Sequence, residues 1–337
     1  MAMIADKEQC GMMDYLFSLS FVREDTEKEG NYPFIDETEE RIVNDYKEQL
    51  KKKRKQIERY CFKEYNLLFE LYLYQTDQQE FYTLEEFCNQ LEAMDDTQWK
   101  EAVFSVLQLE QEREEFEAID ELSVSEEQKW NLFSMIRNRE KSLYEIEQLL
   151  KELYPMFLYY EDQLMELGKE REEEIRGNIE KDVEAYYADV LDNVVDFDKS
   201  DIEQSKHYIL FMSRFAVIIS DMTKKKRFMS GIHVQEVKRY KRENQVLGEE
   251  EKERVLKALS DPSRFMILKM LKEGKLSNKE MAKELNITPA GISYQLNQLV
   301  SVKLVRYCTK ESGRGKKYVV NGEYLKKVFQ LLLEELI

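Results

Sequence analysis

The chain reads as mainly helical. A large helical first part, residues 1–248, holds one small antiparallel sheet at 206–234, and a smaller second part, residues 249–337, arranges helices around a strand hairpin. Three observations predict this. Helix breakers are scarce, with 11 Gly and 4 Pro in 337 residues and no Gly between Asn31 and Leu167; that disfavours a turn-rich sandwich or barrel. Apolar residues recur at helical spacing behind side chains suited to capping helix N-termini. The charge also changes sign along the chain. Residues 249–337 carry 17 Lys and Arg against 12 Asp and Glu, a net of +5, while the remainder carries 34 against 56, a net of −22. Such an asymmetry points to two parts with different partners.

In the first part, Thr83-Leu-Glu-Glu86 and Ser125-Glu-Glu-Gln128 have the form of capping boxes, each ahead of a helical apolar pattern. Cys61, Tyr65, Leu68, Phe69 and Tyr72 fall on one stripe of a helix, and so do Leu143, Ile146, Leu150, Leu153 and Phe157 around Pro155. Gly168 and Gly177 are placed to loosen or end a long charged helix. From Lys206 the composition shifts: "HYILFMSRFAVIIS", the basic "KKKRF" and "MSGIHV" read as two or three short antiparallel strands with Lys224–Arg227 at a tip. The helix "VQEVKRYKREN" then leads to Gly248 and an acidic run.

The second part reads helix, helix, helix, hairpin, helix. Asp261-Pro262 supplies a cap followed by proline in the first turn. Gly274 ends that helix, and Ser277-Asn-Lys-Glu280 opens the next. Thr288-Pro289 starts a third helix, "LVRYC" and "KYVVN" bracket the tip "TKESGRGK", and "GEYLKKVFQLLLEELI" closes the chain as an amphipathic helix.

The two helices joined at Asn286 have the form of a helix–turn–helix. Ala282 is small where the helices cross, and Asn286 stands where the turn needs a left-handed backbone. Ile292 closes a core with Met281, Leu285, Ile287, Leu296 and Leu299. In such a motif the second helix lies in the major groove and its exposed side chains read base edges. Those residues are Thr288, Pro289, Ala290, Ser293, Tyr294, Gln295, Asn297 and Gln298; Gln and Asn suit adenine, and Ala a thymine methyl. No charge occurs from Thr288 to Val300, so attraction to phosphates falls to the hairpin, where Arg306, Lys310, Arg314, Lys316 and Lys317 cluster at or beside a glycine-bearing tip.

The segment from about Val255 to Val320 resembles the winged helix–turn–helix of the ArsR/SmtB family of bacterial transcription regulators. The residues that carry the resemblance are "LKALSDPSRFMILKML", "NKEMAKELNITPAGISYQLNQLVSVKLV" and the hairpin. It implies a homodimer on a roughly two-fold DNA operator, commonly a repressor, with the terminal helices at the dimer interface. Metal-sensing members carry Cys-x-Cys where this chain has Ser277 and Lys279, so no metal or other cofactor is expected. The family's usual His after the recognition-helix Ser is Gln295 here, and Lys303 replaces the Gly before its last "LV". The long first part lies outside the simple family and is similar to that of members with a helical sensory or interaction domain, which implies a small-molecule or protein effector.

Other chemistries find little support. No HExxH, nucleophile elbow or GxxxxGK occurs, and an enzyme is not expected. "DFDKSDIEQSKH" fails as a calcium loop, with Asp201 where Gly is needed and His207 where Glu is needed. His207 and His233 sit in apolar surroundings that suit structural roles, and "KKKRK" at Lys51–Lys55 suits a solvated helix face. The 4 cysteines form no CxxC, no stretch is long and apolar enough to span a bilayer, and the start lacks a secretory pattern, so a cytoplasmic protein is expected. A winged helix that contacts protein and never DNA is the alternative reading.

Overall fold

In the computed structural model the described residues are 3–23, 32–62, 65–191, 195–196, 199–220, 226–243, 249–273, 278–308 and 318–337. They are mainly helical and divide into two compact units. One comprises residues 3–177 and 205–234; the other comprises 178–204 and 235–337, so it takes in segments that the charge-based division at 248 left with the first part.

The first unit packs helices around a four-stranded sheet in the order Met3–Ile4, Lys206–Leu210, Arg227–Gly231, Val217–Ser220. The expected antiparallel hairpin is present, with Val217 opposite Ser230 and Ser220 opposite Arg227. The sheet as a whole is mixed, however, because Lys206–Leu210 runs parallel to both Arg227–Gly231 and the N-terminal strand. These two central strands are almost wholly buried, as parallel strands covered on both faces must be. Arg227 is therefore no hairpin tip. It is buried in a strand with its guanidinium 2.8 Å from Asp77, while Lys224 and Lys225 lie outside the described residues.

Beyond Lys206–Leu210, the backbone N–H groups of Phe211, Met212 and Ser213 all donate to the Asp14 carboxylate on the helix Lys7–Ser18, at 2.7, 2.6 and 2.9 Å. Burial pushes the Asp14 carboxyl up while these donors pull it back. Gly231 lies against the same loop. A Cβ there would stand 2.2 Å from the Arg214 carbonyl carbon, so only glycine fits. Arg214 reaches Glu39 and Glu40 at 3.3 and 3.0 Å, and His233 meets Glu39 at 2.5 Å. Both histidines are fully buried, and His207 stacks on Phe228.

Three local expectations need correction. Cys61 and Tyr65 are not helical: Cys61–Phe62 pairs antiparallel with Tyr65–Asn66, and the helix starts only at Leu67, where Asn66 caps it by accepting the Phe69 N–H. Their periodicity with Leu68, Phe69 and Tyr72 reflects shared burial, which a short hairpin satisfies equally well. Gly168 and Gly177 do not end the long helix, which runs unbroken from Arg139 to Lys181. Gly168 instead permits close approach, since a Cβ would meet Phe211 and Ile232 at 3.0 and 3.1 Å. The Thr83–Glu86 capping box forms as expected. Ser125 caps its helix too, but Gln128 sends its side chain to the Glu58 carbonyl at 3.0 Å instead of closing the box.

The second unit contains the helices Glu249–Ser260, Pro262–Glu273, Asn278–Leu285 and Pro289–Ser301, the hairpin Val305–Cys308 with Tyr318–Val320, and the closing helix Gly322–Leu336. Val255, Ile267, Met281, Ile292, Leu296 and Leu304 are at the centre of its core. The first corner shows why "SDPSR" suits a tight helix–helix joint. Asp261 accepts the Arg264 N–H at 2.9 Å, Pro262 opens the second helix, and the Arg264 guanidinium donates to the last carbonyls of the first helix at Lys257 and Ala258. A strand from far upstream, Val195–Asp196, adds to the hairpin sheet in parallel with Val305–Cys308, Val195 opposite Tyr307.

Candidate nucleic-acid interface

The turn between Asn278–Leu285 and Pro289–Ser301 is set by backbone hydrogen bonds. Ile287 N–H donates to the Ala282 carbonyl at 3.1 Å and Asn286 N–H to Lys283 at 3.4 Å, with Asn286 at φ 52°. This pair of bonds is a Schellman C-cap with a left-handed residue at its corner. Asn takes that conformation at lower cost than other side-chain-bearing residues. The next helix starts at once: Thr288 is extended and its Oγ1 accepts the Gly291 N–H at 3.0 Å. Thr288 is exposed, and its hydroxyl serves the helix end as well as facing outward.

Burial then sorts the helix Pro289–Ser301 into two faces. Ile292, Leu296 and Leu299 are fully buried, with Met281 and Ala282 below them. Leu285 and Ile287 pack at the edge of this core. On the other side, Tyr294 is 54% exposed and Asn297 is also exposed, while Ser293, Gln295 and Gln298 are half-buried. The Gln295 Oε1 is turned inward and buried without a hydrogen-bond partner among the described residues. The side chains of Pro289 and Ala290 lie outside the described residues. The exposed face is thus polar and uncharged, with one aromatic and one amide most available to a groove.

The same cap recurs at the far end. Leu304 N–H donates to Leu299 at 3.0 Å and Lys303 N–H to Val300 at 2.8 Å, with Lys303 at φ 60°. A lysine at the corner of this turn departs from the glycine preference of such caps. The lysine has its own anchor: its ammonium lies 3.0 Å from Glu251, over the Tyr324 ring, and the Tyr324 hydroxyl donates to the same carboxylate at 2.9 Å. Burial raises the Glu251 carboxyl, but Lys303 and Tyr324 outweigh it and hold the group below the usual carboxylate range. This triad fixes the base of the hairpin to the first and last helices. Sequence reading missed it because its members are far apart in the chain, although a lysine in a glycine position was the visible clue.

Of the expected phosphate contacts, Arg306 is half-buried in the first hairpin strand, its Nε without a hydrogen-bond partner among the described residues. Lys310, Arg314, Lys316 and Lys317 lie outside the described residues, as does Ser277 of the third expected capping box. Among the described residues there is no group of three or more His, Cys, Asp or Glu side chains placed to hold a metal, and no helix is long and apolar enough to cross a membrane.

Residues 259–308 match the model of a helix-turn-helix domain. The match covers both helices described above together with the preceding helix and the first hairpin strand. It supports a DNA-binding role in the regulation of transcription, with DNA as the partner of the helix-turn-helix. No curated protein and no solved structure matches the chain.

Proposed function

We propose that this protein is a sequence-specific transcription regulator of the ArsR/SmtB type, a cytoplasmic homodimer that binds double-stranded DNA and acts as a repressor. The observation that carries the reading is the helix Pro289–Ser301. It is held by caps at both ends and buried along Ile292, Leu296 and Leu299, and its exposed face is free of charge. Such a face discriminates bases by hydrogen bonding, and the cationic hairpin supplies the attraction to phosphates.

The closing helix supports the dimer. Phe329 and Leu333, 46% and 55% exposed, stand one turn apart, with Leu336 beyond them. A second copy of this helix would cover that stripe, and two recognition helices would then meet half-sites about one helical turn of DNA apart. The large acidic first part takes the effector, a small molecule or a protein, and has no catalytic task. Its net negative charge also disfavours nonspecific contact with phosphates.

The test is selection of bound fragments from genomic DNA by the purified full-length chain, followed by affinity measurement across a salt series. A shared two-fold sequence among the fragments, with affinity falling steeply as salt rises, is the expected result. Binding that is indifferent to sequence and salt would refute the reading.

A further inference from the structure

The helices Glu115–Asp120 and Glu126–Arg137 carry an aromatic surface that the core does not use. The inward stripe of the second helix is complete with Leu132, Met135 and Ile136, all buried. Outside it, Phe116 and Trp130 are 64% and 65% exposed. Both lean on the half-buried Phe133, Phe116 edge-on at 6.2 Å and Trp130 tilted at 5.8 Å. Large aromatics left in water beside one another are characteristic of a surface that another molecule covers.

The rim is acidic. Glu114, Glu117 and Glu127 are exposed and make no ion pair among the described residues, and Asp120 and Glu126 share the single ammonium of Lys129. Phosphate backbones and anionic lipid surfaces are repelled by such a rim. The patch also holds an internal example of what it attracts. The Arg137 guanidinium lies over the Phe133 ring at 5.5 Å while its Nε sits 2.6 Å from Glu115. One cation is thus satisfied by a ring face and a carboxylate together.

We propose that this face docks a protein segment rich in Arg and Lys that carries apolar anchors: the anchors cover Phe116 and Trp130, and the cations meet the surrounding carboxylates. The proposal is independent of the DNA-binding reading, because it concerns a different unit of the chain.

The sequence holds 2 Trp, and Trp99 is fully buried, so Trp130 reports on this face. The full-length protein is titrated with a short synthetic amphipathic helix of Lys, Arg and Leu. Two control peptides are used, one with Ser in place of Leu and one with Glu in place of Lys and Arg. Saturable one-to-one binding with a blue shift of Trp130 emission is expected for the first peptide alone. The double variant Phe116→Ala/Trp130→Ala leaves the net charge unchanged and, followed by calorimetry, is expected to bind roughly tenfold more weakly or worse. Glu114→Gln/Glu117→Gln/Glu127→Gln is expected to weaken binding and flatten its salt dependence. Undiminished binding by the aromatic double variant would reduce the effect to general charge attraction and overturn the proposal. Equal binding of the Glu peptide would overturn it too, as would conversion of a dimer to a monomer by the aromatic double variant, since the occupant would then be a second copy.

Discussion

Lys303 joins Glu251 at 3.0 Å from a backbone conformation, φ 60°, that lysine seldom adopts. The ion pair and the left-handed turn are therefore coupled, and together they seat the hairpin beside the candidate reading helix. Lys303→Ala keeps the unfavourable φ and loses the pair, so it should destabilise the chain by about 1 kcal/mol. Lys303→Gly loses the same pair but relieves the backbone by roughly 1 kcal/mol, and should be close to neutral. Urea denaturation of both variants checks this, and a larger loss for Gly than for Ala would contradict it.

Glu251 gives the pair a pH signature. Its carboxyl titrates below the usual value in the folded chain, so the folded state releases that proton more readily than the unfolded one. The stabilisation is present above the unfolded carboxylate value of about 4.5 and is lost as pH falls through the lower folded value. Glu251→Gln should flatten the acid limb of stability measured by thermal melting between about pH 3 and 5.

Glu161 should behave in the opposite sense. Burial pushes its carboxyl from 4.5 to about 8, with the Asp14 charge adding to the rise. The folded chain then holds a proton that the unfolded chain has lost, so stability declines as pH climbs from 4.5 toward 8. Glu161→Gln should remove this decline and leave the variant the more stable form at alkaline pH, by up to about 1.4 kcal/mol per pH unit crossed. Parallel pH–melting curves for the two proteins would show the assignment to be wrong.

Glu39 balances two buried groups at once, Arg214 at 3.3 Å and His233 at 2.5 Å. Glu39→Ala takes a carboxylate partner away from a guanidinium of 1% exposure, whose contact with Glu40 is partly exposed. The expected loss is about 3 kcal/mol. Because Arg214 belongs to the loop that Asp14 holds, hydrogen exchange should quicken at Phe211–Ser213 before the rest of the sheet.

For DNA, the exposed amide and the cationic hairpin should separate cleanly. Asn297→Ala should relax preference at one base pair by about 1–3 kcal/mol, and Gln295→Ala should do the same only if its inward-turned amide reorients on binding. Arg314→Ala should weaken all sequences alike and lower the salt slope by about 1. Competition binding with single-base operator variants distinguishes these outcomes; equal loss of specificity from Asn297 and Arg314 would contradict the division of roles.

Much of the candidate interface was legible because its determinants are local. Asp261-Pro262, Asn286 and Thr288-Pro289 each act within a turn of the chain, and the spacing of Ile292, Leu296 and Leu299 already names the buried face. The first unit was less legible at its edges. Periodicity did not separate the short hairpin Cys61–Asn66 from a helix turn, and Gly168 looked like a breaker because its partners, Phe211 and Ile232, arrive from elsewhere in the chain.

What the sequence determined alone is the mainly helical character, the caps at Thr83, Ser125, Asp261 and Thr288, and the two-faced helix after Thr288, since helix formation and capping depend on residues three or four apart. Only the tertiary structure decided the order of the mixed sheet, the addition of Val195–Asp196 to the hairpin, the Glu251–Lys303–Tyr324 anchor and the exposure of Phe116 and Trp130. Strand pairing and burial join residues tens to hundreds of positions apart, and no local pattern carries the free energy that chooses among such partners.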